Sequence, residues 1–361
     1  MRGERRFLLI GGAGLLVLCA VAAYVFAFPS DQQKKELEAL CGGLAETRHL
    51  DSVLETDEVR AGHPENEGGD SGELEECEAR GPDQRRGRVT FQIGDETDAG
   101  ALLREIGHRD ISVPSTTSAP LGGGWPGMVT LQGDRRAHAT VLLPCEEDHP
   151  EGRVAVNVTA DVRGADFSEG RVQTAALART ASGTAEKVAR EKGCGNTPEE
   201  RTGVIAQTPS WTEGIAATRA SRSCRAVRDV AAEAKKWGIT QVAETRSDRD
   251  TPVEECLLLD SRGRTVYRLT ALHDVFADAF RGASLLREVS GPAGRDEREG
   301  GWAWGSAKCA EGAPRSLYAV SNLHETDRAF FATSPEFETR LVNAFAKRSA
   351  ERRDCEDLRM P

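Results

Sequence analysis

The chain lacks the short cysteine and histidine spacings on which metal sites are built. No two cysteines stand two to four residues apart. The seven histidines (His49, His63, His108, His138, His149, His273 and His324) are scattered, with none at ligand spacing from another. This argues against zinc, whose ligands usually come in such close pairs, and against a redox dithiol, which needs the same closeness. The G-x-S-x-G elbow, the Walker phosphate loop and H-E-x-x-H are missing too, and with them the commonest signatures of hydrolases, nucleotide enzymes and zinc peptidases. No cofactor or metal is expected.

Basic charge is also short. Asp and Glu number 58 against 47 Lys and Arg, for a net charge of −11. Three of the arginines, Arg2, Arg5 and Arg6, lie ahead of the first apolar run, so the rest is more acidic still. Nucleic-acid affinity rests on clustered Lys and Arg, so no nucleic-acid partner is expected. Arg greatly outnumbers Lys, and Ala and Gly are abundant, the skew that a GC-rich bacterial genome tends to produce. Hydrophobic residues make up 39% and mean hydropathy is −0.47. The chain is globular but polar, and its 361 residues suit two domains.

What the chain does have is a repeat. Eight of its nine cysteines form two quartets: Cys41, Cys77, Cys145 and Cys194, then Cys224, Cys256, Cys309 and Cys355. In both, the steps run short, long, intermediate. Leu74-Glu75-Glu76-Cys77 recurs as Val253-Glu254-Glu255-Cys256. Leu102-Leu103-Arg104-Glu105-Ile106 recurs as Leu285-Leu286-Arg287-Glu288-Val289, and Gly123-Gly124-Trp125 as Gly300-Gly301-Trp302. Such a pattern points to one domain used twice. An even count in each half fits two disulfides per domain. Four cysteines allow three pairings; the short enclosed segments favour first with second and third with fourth.

Phe7 to Phe28 is an uncharged apolar run, long enough for a bilayer helix of about 20 residues. The arginines before it place the amino terminus inside and the rest outside. Two rivals are a signal peptide cleaved near Ala27, for which the run is too long, and a lipid anchor on Cys19, which follows Leu18 where that chemistry wants a small residue. All three export the chain to where cysteines oxidise. The expected division is a cytoplasmic leader (1–6), a transmembrane helix (7–28), a first repeat (29–197), a linker (198–212) and a second repeat (213–361).

Each repeat reads as helix, strands, helix, strands, helix, an α+β fold with mainly antiparallel sheets. In the first, the helices are placed at Ser30 to Cys41, Ala101 to Ile106 and Thr174 to Lys192. Strands are placed at Val89 to Ile93, Met128 to Gln132, His138 to Leu143 and Val154 to Val158, with loops over Asp51 to Glu76 and Val113 to Gly127. In the second, helices are placed at Ile215 to Trp237, Asp274 to Val289 and from Ser334 onward, where Ser334 caps and Pro335 takes the first turn. Strands are placed at Cys256 to Leu259, Arg264 to Leu272 and Leu317 to Val320. A charged loop runs through Gly301. The second repeat is shorter between its Trp and third Cys, so the hairpin of Met128 to Leu143 is expected to be missing there.

Gly69-Asp70-Ser71-Gly72 matches the letters around a serine-protease nucleophile, but no strand pattern frames it and no base is placed for it. Glu65, Glu67, Asp70, Glu73, Glu75 and Glu76 form an acidic run without the D-x-D-x-D-G order of a calcium loop; both read as solvated loop. Trp125 and Trp302 are the candidates for a shared role, in core packing or in presenting a ligand surface.

Cys41-Gly42-Gly43-Leu44, Leu143-Pro144-Cys145, the basic leader and the single apolar span resemble exported, membrane-anchored proteins of Streptomyces-type actinobacteria with a duplicated four-cysteine domain. Cys224-Arg225-Ala226-Val227 and Ala307-Lys308-Cys309 depart from that pattern. The resemblance implies location and architecture and assigns no catalytic residue. The expected function is a membrane-tethered extracytoplasmic protein of the cell envelope that binds a ligand or partner protein and is not an enzyme. The alternatives are an envelope hydrolase with an unrecognised site and a structural envelope component.

Overall fold

The computed structural model describes residues 32–62, 75–82, 87–94, 116–145, 152–165, 167, 171–194, 214–249, 251–282, 291–295, 301–309, 313–322 and 334–361. The apolar run 7–28, the linker 198–212, the expected helix 101–106 and the Asp70-Ser71 tetrad lie outside them. So do Glu65, Glu67, Glu73 and four of the histidines (His63, His108, His149, His324). Among the described residues no helix is long and apolar enough to cross a membrane.

The chain builds two antiparallel sheets in an α+β fold. The first holds β1 (Arg60–Gly62), β2 (Glu75–Arg80), β3 (Gly87–Gly94), β4 (Thr116–Pro120), β5 (Gly127–Gln132), β6 (Arg136–Pro144) and β7 (Arg153–Val162), in the order β1-β2-β3-β7-β6-β5-β4. The second holds β8 (Ile215–Ala216), β9 (Ile239–Glu244), β10 (Val253–Asp260), β11 (Thr265–Leu272), β12 (Gly294–Arg295), β13 (Trp302–Lys308) and β14 (Ser316–Asn322). Its order is β12-β13-β14-β11-β10-β9-β8, with β15 (Glu356–Arg359) also paired to β13. Read from its other edge, β9-β10-β11-β14-β13-β12 follows the same path as β1-β2-β3-β7-β6-β5. The long β5–β6 hairpin, turned at Gly133 with φ +64, is answered in the second sheet by the two-residue β12 and by β15.

The helices are α1 (Leu50–Leu54), α2 (Arg171–Lys192), α3 (Ala231–Lys236), α4 (Asp274–Gly282) and α5 (Pro335–Arg352). Residues 32–38 are also helical. The face of α2 that meets the first sheet is mostly alanine, with Leu177 and Val188. It packs on Phe91, Ala139, Val141, Val156 and Val158, small side chains letting helix and sheet approach. Gly193, at φ +67, ends this helix where a left-handed residue closes its last turn. On the second sheet, Phe337, Leu341, Val342 and Phe345 of α5 pack against Leu258, Leu269, Tyr318 and Val320. Ser334 caps α5 by accepting a hydrogen bond from the Phe337 amide.

The opposite faces of the two sheets meet. Met128, Leu142 and Ala155 of the first form one cluster with Val253, Leu272, Phe276, Ala277, Phe280, Trp304, Leu317 and Ala319. The layers therefore run helix, sheet, sheet, helix. With both faces covered, every residue of β10 is buried, and that strand reads as a continuous run rather than an alternation.

Three expectations are corrected. Residues 215–237 are not one helix but β8, two 3-10 turns (Ala217–Arg219 and Arg225–Val230) and α3. Tertiary bonds override the helix pattern: Ser223 is tied to the sheet through its hydroxyl at 2.6 Å from the Glu255 carbonyl, and Cys224 through its disulfide. The Thr/Ser/Pro-rich stretch before Gly127 contains β4, an edge strand that tolerates its terminal Pro120. The stretch Asp51 to Glu76, expected as loop, holds most of α1, all of β1 and the start of β2. β13, which follows the expected loop, carries no signal in the sequence, because Trp302-Ala303-Trp304-Gly305-Ser306 shows no alternation when both faces are covered.

Candidate functional site

The disulfides fix the frame around which polar groups gather. Cys41 joins Cys77, Cys145 joins Cys194, Cys224 joins Cys256 and Cys309 joins Cys355. In both halves one bond pins the segment before the sheet to its second main strand, and the other ties a strand end to the end of the covering helix. Disulfides of this number belong to an oxidising, extracytoplasmic setting. Trp125 and Trp302 do not come together. Trp125 is buried in the core of the first half. Trp302 is partly buried at the inter-sheet cluster, its ring 6.4 Å from that of Trp304.

The repeated glutamates meet opposite environments. Glu75 and Glu76 are exposed on β2, whereas Glu254 and Glu255 are buried on β10. Glu254 points toward α5. It accepts from Ser349 Oγ at 2.9 Å and from Arg352 Nη1 at 2.6 Å, and lies 3.5 Å from His273 Nε2. His273 Nδ1 is 2.8 Å from Ser316 Oγ. Burial pushes the Glu254 carboxyl up, but His273 and the Arg352 guanidinium outweigh it and hold the group below the usual carboxylate range. Burial likewise lowers His273 and keeps its ring neutral.

Carboxylate, imidazole and hydroxyl thus stand in a row as in a nucleophilic triad. All three side chains are sealed, however, with Ser316 0% exposed and its Oγ 2.8 Å from the Cys309 sulfur. No reacting atom can sit between nucleophile and oxyanion donors there. The row is a hydrogen-bonded core network that joins α5 to the sheet.

Glu255 points the other way. It lies 3.0 Å from Arg268 Nε and accepts from the backbone amide of Ser118 on β4. Burial pushes this carboxyl up, against the pull of Arg268 and the amide. The carboxylate covers an edge of the first sheet, one of the ways proteins shield unpaired strand amides.

A solvent-open hollow of about 550 Å³ lies beside the Cys224–Cys256 bond. It is lined by Ser221, Arg222, Arg225, Arg246, Ser247, Asp248 and Arg352. Glu244 shapes its rim by accepting from the Ser221 and Arg222 amides at 3.0 and 2.8 Å and from the Ser221 hydroxyl at 3.0 Å. Arg246 pairs with Asp248. Arg352 reaches from the hollow to buried Glu254 and so connects the surface to the sealed network. In the sequence these arginines have one visible signal, the crowding of Arg222 and Arg225 around Cys224 in an acidic chain. Among the described residues no group of His, Cys, Asp and Glu is arranged to hold a metal ion.

No protein-family model, no curated protein and no solved structure matches the chain.

Proposed function

We propose that the chain is a membrane-tethered extracytoplasmic binding protein, made of two copies of one crosslinked module and not an enzyme. The shared strand order and the equivalent disulfide positions support the copying. The apolar run Phe7 to Phe28, with arginines on one side, supports a tether. The resemblance to anchored actinobacterial proteins agrees with both. One observation carries the binding reading: acid, base and hydroxyl converge where no substrate enters, while the solvent-open hollow offers guanidinium and hydroxyl groups. Such a surface holds a ligand without supplying a nucleophile.

Two experiments test this reading. Full-length protein in detergent, offered activated esters and peptides, should show no turnover that Ser316→Ala abolishes. Turnover lost in that variant, with its melting temperature unchanged, would establish the hydrolase instead. On intact cells a membrane-impermeant amine reagent should label Lys34 and Lys35; their protection would remove the tethered, outward topology.

A further inference from the structure

We propose that the arginine-lined hollow beside Cys224–Cys256 binds a small polyanion, a ligand presenting two or more phosphate or carboxylate groups. The inference rests on the reading of the chain as a binding protein and names the chemistry of its ligand.

The charges around the hollow do not balance. Four arginines face one lining carboxylate, Asp248. Arg246 is matched by Asp248, and Arg352 by Glu254. Glu244 on the rim keeps its charge while it accepts from the Ser221 and Arg222 amides and the Ser221 hydroxyl, so four guanidinium groups stand against three carboxylates and the surplus is one positive charge. Arg222 and Arg225 are exposed, and no carboxylate among the described residues pairs with either guanidinium. In a chain with a net charge of −11, two such groups opening on one hollow are a local reversal of sign.

The overall negative charge does not cancel this reversal. At physiological salt, charges beyond about 8 Å are largely screened, so a ligand in the hollow responds to the guanidinium groups that touch it. Those groups carry planar donor forks that match carboxylate and phosphate oxygens in pairs. The volume of about 550 Å³ exceeds what a single small ion fills and lies in the range of small-molecule sites, roughly 300–1,000 Å³. One anionic group facing Arg222 and Arg225, and a second near Arg246 and Arg352, would use all four.

The test is equilibrium binding of inorganic tripolyphosphate and, separately, citrate to full-length protein in neutral detergent. The proposal expects saturable binding of at least one, weakening as salt is raised, and which one binds identifies the anionic group. Arg222→Ala/Arg225→Ala should lower the affinity at least tenfold. Lys235→Ala/Lys236→Ala, which removes the same charge from exposed positions outside the hollow, should leave it unchanged. Asp248→Asn should tighten binding severalfold by removing the competing carboxylate. The proposal is overturned if neither anion binds at about 1 mM, or if the arginine double variant binds as tightly as the wild type. Fragments of the cell envelope separate the two levels of the argument. If the arginine variant binds them as the wild type does, the polyanion assignment fails and the binding reading stands. If the wild type does not bind them, the binding reading itself fails.

Discussion

Glu254 and Glu255 are neighbours on β10 that point to opposite faces, and each depends on one arginine. Removing a single partner from a buried pair costs about 3–5 kcal/mol, because the other charge stays in a dry site. Glu255→Ala should therefore lower the unfolding free energy by about that much, leaving Arg268 without its carboxylate and the Ser118 amide without its acceptor. Denaturant titration measures it; a loss under about 1 kcal/mol would mean that the pair is wet. The buried imidazoles set the pH response. Burial, aided by Arg136, lowers His138 to about 4, and burial lowers His273 as well. Below pH 6.5 the unfolded chain takes up protons that the folded chain refuses. Stability is thus full above that value and falls as pH drops toward the folded-state values, by up to about 1.4 kcal/mol per pH unit for each ring. The melting temperature should decline from pH 7 to pH 5, and His138→Gln should make the decline shallower. Buried Glu255, whose carboxyl is pushed up, acts in the opposite sense, so the comparison with the variant is decisive: a decline as steep in His138→Gln as in the wild type would contradict the neutral assignment of that ring.

Elements were legible in the sequence wherever one face is wet. The stripe of Phe337, Leu341, Val342 and Phe345, with Ser334 before it, announces α5, and the alternation of Val89, Phe91 and Ile93 announces β3. Ser334→Ala should cost about 1 kcal/mol, as the loss of an N-cap does, read as a shift in denaturant midpoint with unchanged slope; no shift would mean that the first turn is held by packing alone. Elements covered on both sides were harder to read. Trp302 to Lys308 gives no period because its two faces meet different cores. The segment after Ile215 has helical composition but is shaped by Ser223, Cys224 and Glu244 through bonds to distant strands. The hollow was illegible for the same reason: Arg246 and Arg352 are far in the chain from the neighbouring Arg222 and Arg225, and β9, β10 and α5 bring them together.

For the whole molecule, crosslinks compensate for a polar composition. Each disulfide encloses between 32 and 49 residues, which restricts the unfolded chain by about 4 kcal/mol in the entropy model. Replacing Cys224 and Cys256 by serine should therefore cost about 2–5 kcal/mol and loosen the hollow beside them, seen as earlier thermal unfolding. Equal stability would show that this bond adds nothing to what packing and the Cys309–Cys355 bond already hold. The layering of helix, sheet, sheet and helix gives each half its own core and a shared one, with Phe276 and Phe280 between the sheets. The halves differ most beside the proposed site: the glutamates exposed on β2 are buried on β10, behind an open hollow lined by arginines. The central claim is that this protein holds a ligand rather than transforming one. Its most direct test is the binding isotherm of full-length protein on envelope fragments from the cells that produce it. The account predicts saturation, with release of the bound protein by added salt. Binding that rises linearly without saturating, or none, would contradict it.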